Sequence, residues 1–246
     1  MKSLITVKEI TKSFPIRGSK KRNLALSNLS LEIYAGEFLA IVGESGSGKS
    51  TLAKILLGIT KPDSGQVWRQ EGLAARSIQM ILQNPYAAFD PLATMESSLV
   101  EVLLANRLAP NRQAAKAQII ELMPNYGLEP KSLSKRGREF SGGQLQRFGI
   151  LRAMLLKPRV LLADEIISAL DGQRKLSILE LLKDLQVKEG LSIVFITHDI
   201  AGIQNFAERI VVMKDGKIVE AKSCRELILE PENEYTKKLL AAVPKI

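Results

Sequence analysis

The residues with the clearest chemical use lie at 43–50, where Gly43-Glu44-Ser45-Gly46-Ser47-Gly48-Lys49-Ser50 has the spacing G-x-x-x-x-G-K-S. Glycines let a backbone curl until successive N–H groups point into one concavity, which suits phosphate oxygens. The apolar run Phe38 to Val42 ahead of the loop predicts a buried strand. Thr51 to Leu57 behind it predicts a helix that stops at Gly58. The start of that helix adds the positive end of its dipole to the phosphate position. In this setting Lys49 reaches the β- and γ-phosphates and the Ser50 hydroxyl ligates Mg²⁺. The expected ligand is therefore a nucleoside triphosphate with its magnesium ion.

Two further positions supply groups that such a ligand needs. The apolar run Val160 to Ala163 ends on Asp164-Glu165, at the strand end where open α/β sheets bind ligands. Asp164 can hold the Mg²⁺ shell, and Glu165 can orient and polarise an attacking water. The plain alternative is an exposed acidic turn, which the phosphate loop in the same chain disfavours. His198, the single histidine, ends Ser192 to Thr197 in the same way. An imidazole there can donate to a γ-phosphate or position the water. Ser141-Gly142-Gly143-Gln144, at the start of a predicted helix, forms a second anion site through exposed N–H groups and a helix dipole. One triphosphate does not need two such sites in cis, so head-to-tail pairing of two subunits is the economical explanation.

The elements that must position these residues read as follows. Leu4 to Ile10 predicts a short strand, and Leu29, Leu31 and Ile33 alternate as in a half-buried one. Met95 to Leu108 and Asn111 to Tyr126 predict helices, Lys131 to Arg138 a basic loop, and Ser141 caps a helix to about Leu156. Gln173 to Lys188 predicts an amphipathic helix, and Asp215-Gly216 a hairpin between Ile210 to Met213 and Lys217 to Val219. Unbroken apolar strands alternating with helices predict a parallel sheet covered on both faces. The stretch 86–139 interrupts that alternation and predicts an inserted helical lobe. The 246 residues are 46% apolar and 25% charged, ordinary values for a globular chain. One cysteine, Cys224, and one histidine exclude an intrachain disulfide, Cys-based zinc or iron–sulfur sites and multi-His metal sites. Met1 to Phe14 lacks an apolar signal region, and no run approaches a bilayer-spanning length, so the cytoplasm is the expected compartment. The net charge of 35 − 26 = +9 permits nucleotide, nucleic acid or an anionic membrane surface as partner.

The motifs fall in a telling order. ITKSF ends on Phe14, the glycine-rich loop occupies 43–51, and Gln83 stands in MILQNP. FSGGQ follows at 140–144, LLADE at 161–165, SALD at 168–171 and THD at 197–199. With these the chain resembles the ATP-binding cassette (ABC) ATPases over nearly its whole length. The resemblance implies an α/β fold of the P-loop NTPase type, with a mostly parallel core sheet, an antiparallel β-subdomain and an inserted helical subdomain. It implies one cassette over 4–244. Residues 1–84 and 140–230 form the catalytic core with the β-subdomain, 85–139 the helical subdomain, and 231–246 a short C-terminal tail. ATP and Mg²⁺ are the implied cofactors. Glu44, Ser45, Ser47 and Thr51 join the loop glycines, Lys49 and Ser50 in holding ATP, while Phe14 stacks on adenine. Gln83 joins Ser50 and Asp164 at Mg²⁺ and relays nucleotide state to a membrane partner. Glu165 and His198 are the implied catalytic residues. Ser141, Gly142, Gly143 and Gln144 contact the opposite subunit's γ-phosphate, with Asp171 between the two sites.

NPYAAFDP at 84–91, Phe140 ahead of SGGQ, and EYTKKLLAAVP at 234–244 are similar to the ATPase subunits of bacterial dipeptide, oligopeptide and nickel or metal-chelate importers. That likeness implies a second, usually different ATPase subunit, two membrane permeases and an extracellular solute-binding lipoprotein. It places the chain peripherally on the cytoplasmic face of the cell membrane, without nucleic acid. The alternatives are the ATPase of a lipid or peptide exporter, which shares the site chemistry, and a soluble nucleic-acid-associated ABC ATPase, which the +9 charge keeps open. The chain departs from the family pattern in four places. Ile166 and Ile167 stand where Pro and often Thr or Val follow the acidic pair, and Leu145 replaces a basic residue. The span from Lys49 to Gln83 is short, as if the antiparallel lobe were trimmed around Trp68 to Ser77, and the cysteine-bearing tail of some relatives is absent.

Overall fold

The computed structural model describes residues 2–16, 18–19, 21–168 and 170–242. Lys20 of the basic stretch Lys20-Lys21-Arg22, Ala169 of SALD, and residues 243–246 of the expected tail lie outside the described residues.

Three short strands are apolar at every position: β3 (Phe38–Val42), β6 (Val160–Asp164, up to its final acid) and β7 (Ser192–Thr197, between its polar ends). A strand of that kind is stable only with cover on both faces. They lie inside a six-stranded sheet of order β5-β6-β7-β3-β8-β9, with β5 (Ile78–Ile81), β8 (Arg209–Lys214) and β9 (Lys217–Ser223) completing it. All pairings are parallel except the β8–β9 hairpin. Alternation along each strand then sorts side chains into two cores. Phe38, Ala40, Val42, Leu161, Ala163, Ile193 and Phe195 enter one core, and Leu39, Ile41, Val160, Leu162, Val194 and Ile196 the other.

The first core is covered by α2 (Met95–Ala105), α3 (Arg112–Leu122), α4 (Gly142–Met154) and α5 (Gly172–Glu189), with no break between sheet and helices. The second is covered by α1 (Lys49–Leu57) and by an antiparallel sheet of order β2-β1-β4, formed by β1 (Ser3–Pro15), β2 (Arg22–Tyr34) and β4 (Ser64–Arg69). The remaining helices are α6 (Ile200–Ile203), α7 (Cys224–Leu229) and α8 (Glu234–Ala241). Among the described residues no helix is long and apolar enough to cross a membrane.

Several elements differ from the sequence reading. Strands β1 and β2 are 13 residues each, far longer than the alternating segments suggest. Their pairing shifts register between Val7 and Ile10, and Glu9 and Asn28 take positive φ of 51° and 49°. Such irregularities interrupt the two-residue period that marks a strand. The strands β4 and β5 lie in segments with no strand signal, because four to six residues at a sheet edge carry too little periodicity. Helix α3 stops at Leu122, and Met123–Tyr126 continues as a 3₁₀ turn containing Pro124, which has no N–H to give. The basic segment 131–138 holds parts of two further 3₁₀ turns.

Glu96, in the first turn of α2, clamps α3 through Lys116 at 2.8 Å and Arg112 at 3.5 Å. The Lys116 hydrogen bond holds its carboxyl below the ordinary carboxylate range, against a smaller opposing effect of burial. A depressed carboxyl stabilises the fold above its unfolded value, and that contribution is lost as pH falls through its folded value. Glu96→Gln is therefore expected to lower the melting temperature slightly near neutral pH, by roughly 0.5 kcal/mol of stability. The difference should close below about pH 4. Melting curves of the two proteins that stay parallel down to about pH 3 would contradict this clamp.

Candidate nucleotide site

The phosphate loop starts where β3 leaves the sheet and ends at the first turn of α1. Two of its glycines, Gly43 and Gly48, are required by space as well as by backbone angle. A Cβ on Gly43, at φ 156°, would stand 2.2 Å from the Met213 carbonyl oxygen, and one on Gly48, at φ 102°, 2.5 Å from that of Ala25. Between them Lys49 is buried, and its amine donates to the carbonyls of Gly43 at 2.7 Å and Glu44 at 2.8 Å. Burial pushes the Lys49 amine below its ordinary value, and the carboxylates of Glu165, Asp164 and Glu44 oppose that.

A cavity of about 310 Å³ over the loop brings together Phe14 of β1, Ser45, Gly46, Gly48, Lys49, Ser50, Thr51 and Glu165. Phe14 is 39% exposed and has the Lys12 amine 5.5 Å from its ring centre. Asp63 braces the strand end that carries it, accepting from Lys12 at 2.7 Å and from the Ser13 N–H at 2.8 Å. The Lys12 hydrogen bond holds the Asp63 carboxyl far below the usual carboxylate range. The sequence signal for this brace, a Pro62-Asp63-Ser64-Gly65 turn, was open to reading but its partner 51 residues away was not.

Asp164 and Glu165 leave β6 side by side. Asp164 is 9% exposed, and its Oδ1 is buried with no hydrogen-bond partner among the described residues. Burial raises its carboxyl above the ordinary range, while the Ser50 hydroxyl acts in the opposite direction. A buried carboxylate oxygen without a donor, beside a serine hydroxyl, is a donor set that fits a hard divalent cation such as Mg²⁺. Glu165 takes φ 50°, with its N–H donating to the Ile196 carbonyl at 2.9 Å. A following proline would push this residue toward extended backbone. Ile166 and Ile167 instead anchor the segment by burial, at 3% and 1% exposure.

Gln83, just beyond β5, donates its side-chain N–H to Glu165 Oε2 at 3.1 Å, and His198 Nδ1 stands 3.9 Å from Glu165 Oε1. Three residues from three strand ends thus meet at one carboxylate. Ser141, Gly143 and Gln144 do not join them. Ser141 caps α4, whose first turn begins with Gly142, in a reciprocal box with Gln144. These residues line a separate shallow concavity of about 160 Å³ with Arg147 and Arg174. Ser47 is buried within the loop, close to the Lys49 amine at 3.4 Å. Asp171 caps α5 by accepting the Arg174 N–H.

A phosphate loop at the mouth of a parallel sheet, with a buried lysine facing the paired acids at the end of β6, two strands away, defines a P-loop nucleoside triphosphatase. The family model for ABC transporters matches residues 26–168, more than half of the chain. The chain belongs to the ABC transporter family, as an ATP-binding cassette ATPase. It is 38% identical over 98% of its length to the glutathione import ATP-binding protein GsiA of Escherichia coli (strain K12), covering 41% of that protein. The chain thus spans about two fifths of the length of the curated relatives it matches. Its fold superposes with a TM-score of 0.79 on the ATP-binding cassette MJ0796 in a dimeric post-hydrolysis state bound to ADP and Pi. Identity there is 30%, over 90% of this chain and 99% of that one. CbiO1 of Clostridium perfringens, part of the ABC transporter complex cbiONQ, shares the fold with a TM-score of 0.80 at 24% identity, over 99% and 97% of the two chains.

Proposed function

We propose that this ATPase energises a membrane importer for peptide-class solutes, working as one half of a head-to-tail ATPase dimer. The observation that carries the reading is the meeting of Gln83, Glu165 and His198 beside a loop that buries Lys49. The dimer is supported by the separate concavity at Ser141, Gly143 and Gln144, which lies at the positive start of α4 and away from the chain's own phosphate loop. The solute class is supported by the 38% identity to a glutathione import protein. A second ATPase subunit, two permeases and an extracellular binding lipoprotein complete the assembly, at the cytoplasmic face of the membrane. A cavity of about 280 Å³ bordered by β5, Pro85 and Arg152 is the side on which a permease segment contacts the residues next to Gln83. We divide the cassette into 1–84 with 140–230 as core, 85–139 as the helical lobe that answers to Gln83, and 231–246 as tail.

Phosphoryl transfer of this kind is mostly positioning and charge stabilisation. Ser45 to Thr51 direct N–H groups at the β- and γ-phosphates, and Lys49 exchanges its carbonyl partners for phosphate oxygens. Phe14 offers a ring face to adenine. Ser50, Asp164 and Gln83 would hold Mg²⁺, which when bound would neutralise phosphate charge. Glu165 accepts a hydrogen bond from the attacking water and aligns it. His198 holds the γ-phosphate and, through Glu165, the geometry of that water.

The test is co-expression with candidate permease chains, followed by purification in detergent. Co-purifying permeases together with ATP hydrolysis stimulated by a peptide-loaded binding protein are the expected result. Nucleic acid that co-purifies and dissociates steeply with salt would overturn it in favour of a nucleic-acid-associated ATPase.

A further inference from the structure

Helix α8 brings a side chain from the far end of the chain onto the phosphate loop. The backbone N–H of Glu44 donates to the Tyr235 hydroxyl at 3.0 Å. The carbonyl of the same residue accepts from the Lys49 amine at 2.8 Å. A single residue therefore joins Tyr235 to the lysine of the site.

The tyrosine itself is held firmly. The Glu220 carboxylate on β9 accepts the backbone N–H groups of Glu232 at 2.8 Å and Asn233 at 3.1 Å. The Asn233 side chain accepts the Tyr235 N–H at 2.9 Å and caps α8. The Lys214 amine on β8 lies 4.8 Å from the centre of the Tyr235 ring. On the other side of Glu44, Gly43 is pressed so closely on the Met213 carbonyl that no side chain fits. The start of the loop is thus gripped twice, by backbone packing on β8 and by a hydroxyl from α8.

We propose that Tyr235 is a positioning residue for ATP binding, acting through the Glu44 peptide on Lys49; this rests on the reading of 43–51 as the ATP site. When ATP enters, Lys49 must give up the carbonyls of Gly43 and Glu44 for phosphate oxygens. Glu44 then keeps the Tyr235 hydroxyl on its N–H and the Ser47 N–H, at 3.2 Å, on its carbonyl. Without that hydroxyl the N–H side of Glu44 loses its anchor and only the Ser47 bond to its carbonyl remains, so ordering this end of the loop opposes binding. The hydrogen bonds of Tyr235 reach neither Glu165 nor His198. The effect therefore falls on affinity and leaves the chemical step alone.

Tyr235→Phe removes the hydroxyl and keeps the ring against Lys214. The expected result is a Kd for ATP raised about 3- to 10-fold, the range of one hydrogen bond, with kcat within about twofold of the wild type. Amide exchange at Glu44 should quicken while exchange along α1 stays unchanged. A looser α8 alone would instead quicken exchange over 234–241 and leave Glu44 protected, which would overturn the proposal. Unchanged Kd would overturn it too, as would a fall in kcat at unchanged Kd. If the wild-type chain bound no ATP, the assignment of the loop would fail rather than the role of Tyr235.

Discussion

Replacing Glu165 by Gln is expected to leave ATP binding intact and to lower hydrolysis by about 10²–10⁴-fold, the usual contribution of a positioned general base. The two side chains have the same size, and an amide oxygen still accepts the Gln83 N–H that now reaches Glu165 at 3.1 Å. The left-handed backbone at this residue is fixed by its own N–H bond to Ile196 and by the buried isoleucines behind it, none of which the substitution touches. What disappears is the negative charge that, in the proposed mechanism, polarises the water. That charge also faces Lys49, and it opposes a triphosphate. Binding should therefore be equal or tighter. Single-turnover phosphate release, measured with the dimer partner present, checks the first half, and equilibrium ATP titration the second. Turnover within about threefold of the wild type would remove Glu165 from the mechanism.

The second large effect belongs to Lys49. Lys49→Met keeps a long unbranched side chain in a place that is 4% exposed, and removes only the ammonium. Removing one preorganised charge-stabilising donor typically costs about 10²–10³ in turnover. Here the same group also attracts the phosphates in the ground state, so both ATP affinity and hydrolysis are expected to fall. This separates it from Glu165→Gln, where affinity holds. The ammonium is buried with only backbone carbonyls as strong partners, so the methionine variant should still fold, as judged by far-ultraviolet circular dichroism. ATP binding as tight as in the wild type would show that the loop cradles phosphate by its N–H groups alone. The Tyr235→Phe variant would differ from both, with weaker binding and unchanged chemistry.

Local pattern carried much of this molecule. The loop at 43–50, the apolar runs of β3, β6 and β7, and the acids and histidine at their ends are all legible because each is a contiguous signal. Strand ends in a parallel sheet converge on one edge, so the ends of three separate apolar runs bring the loop, Glu165 and His198 to the same edge. The order and pairing of the strands were not legible, but once β3 is a strand its two-residue period explains why Phe38 and Leu39 enter different cores. The long β1–β2 hairpin was only half legible, since its register shifts and the positive φ at Glu9 and Asn28 erase the alternation that reveals a strand.

By itself, then, the sequence picked out residues of the types that cradle phosphate, bind a cation and direct water, and it led to the expectation that Ser141 to Gln144 serve a partner subunit's ATP. Those are properties of residue type and short spacing, encoded within a few positions of one another. Only the tertiary structure decided how the site is tensioned. The Gln83 contact to Glu165 spans 82 residues, the Lys12–Asp63 brace under Phe14 spans 51, and the Tyr235 hydrogen bond to Glu44 spans 191. No periodicity records such pairs. Each depends on where two distant elements come to rest after burial of the core has fixed the sheet, and a hydrogen bond reaches only about 3 Å.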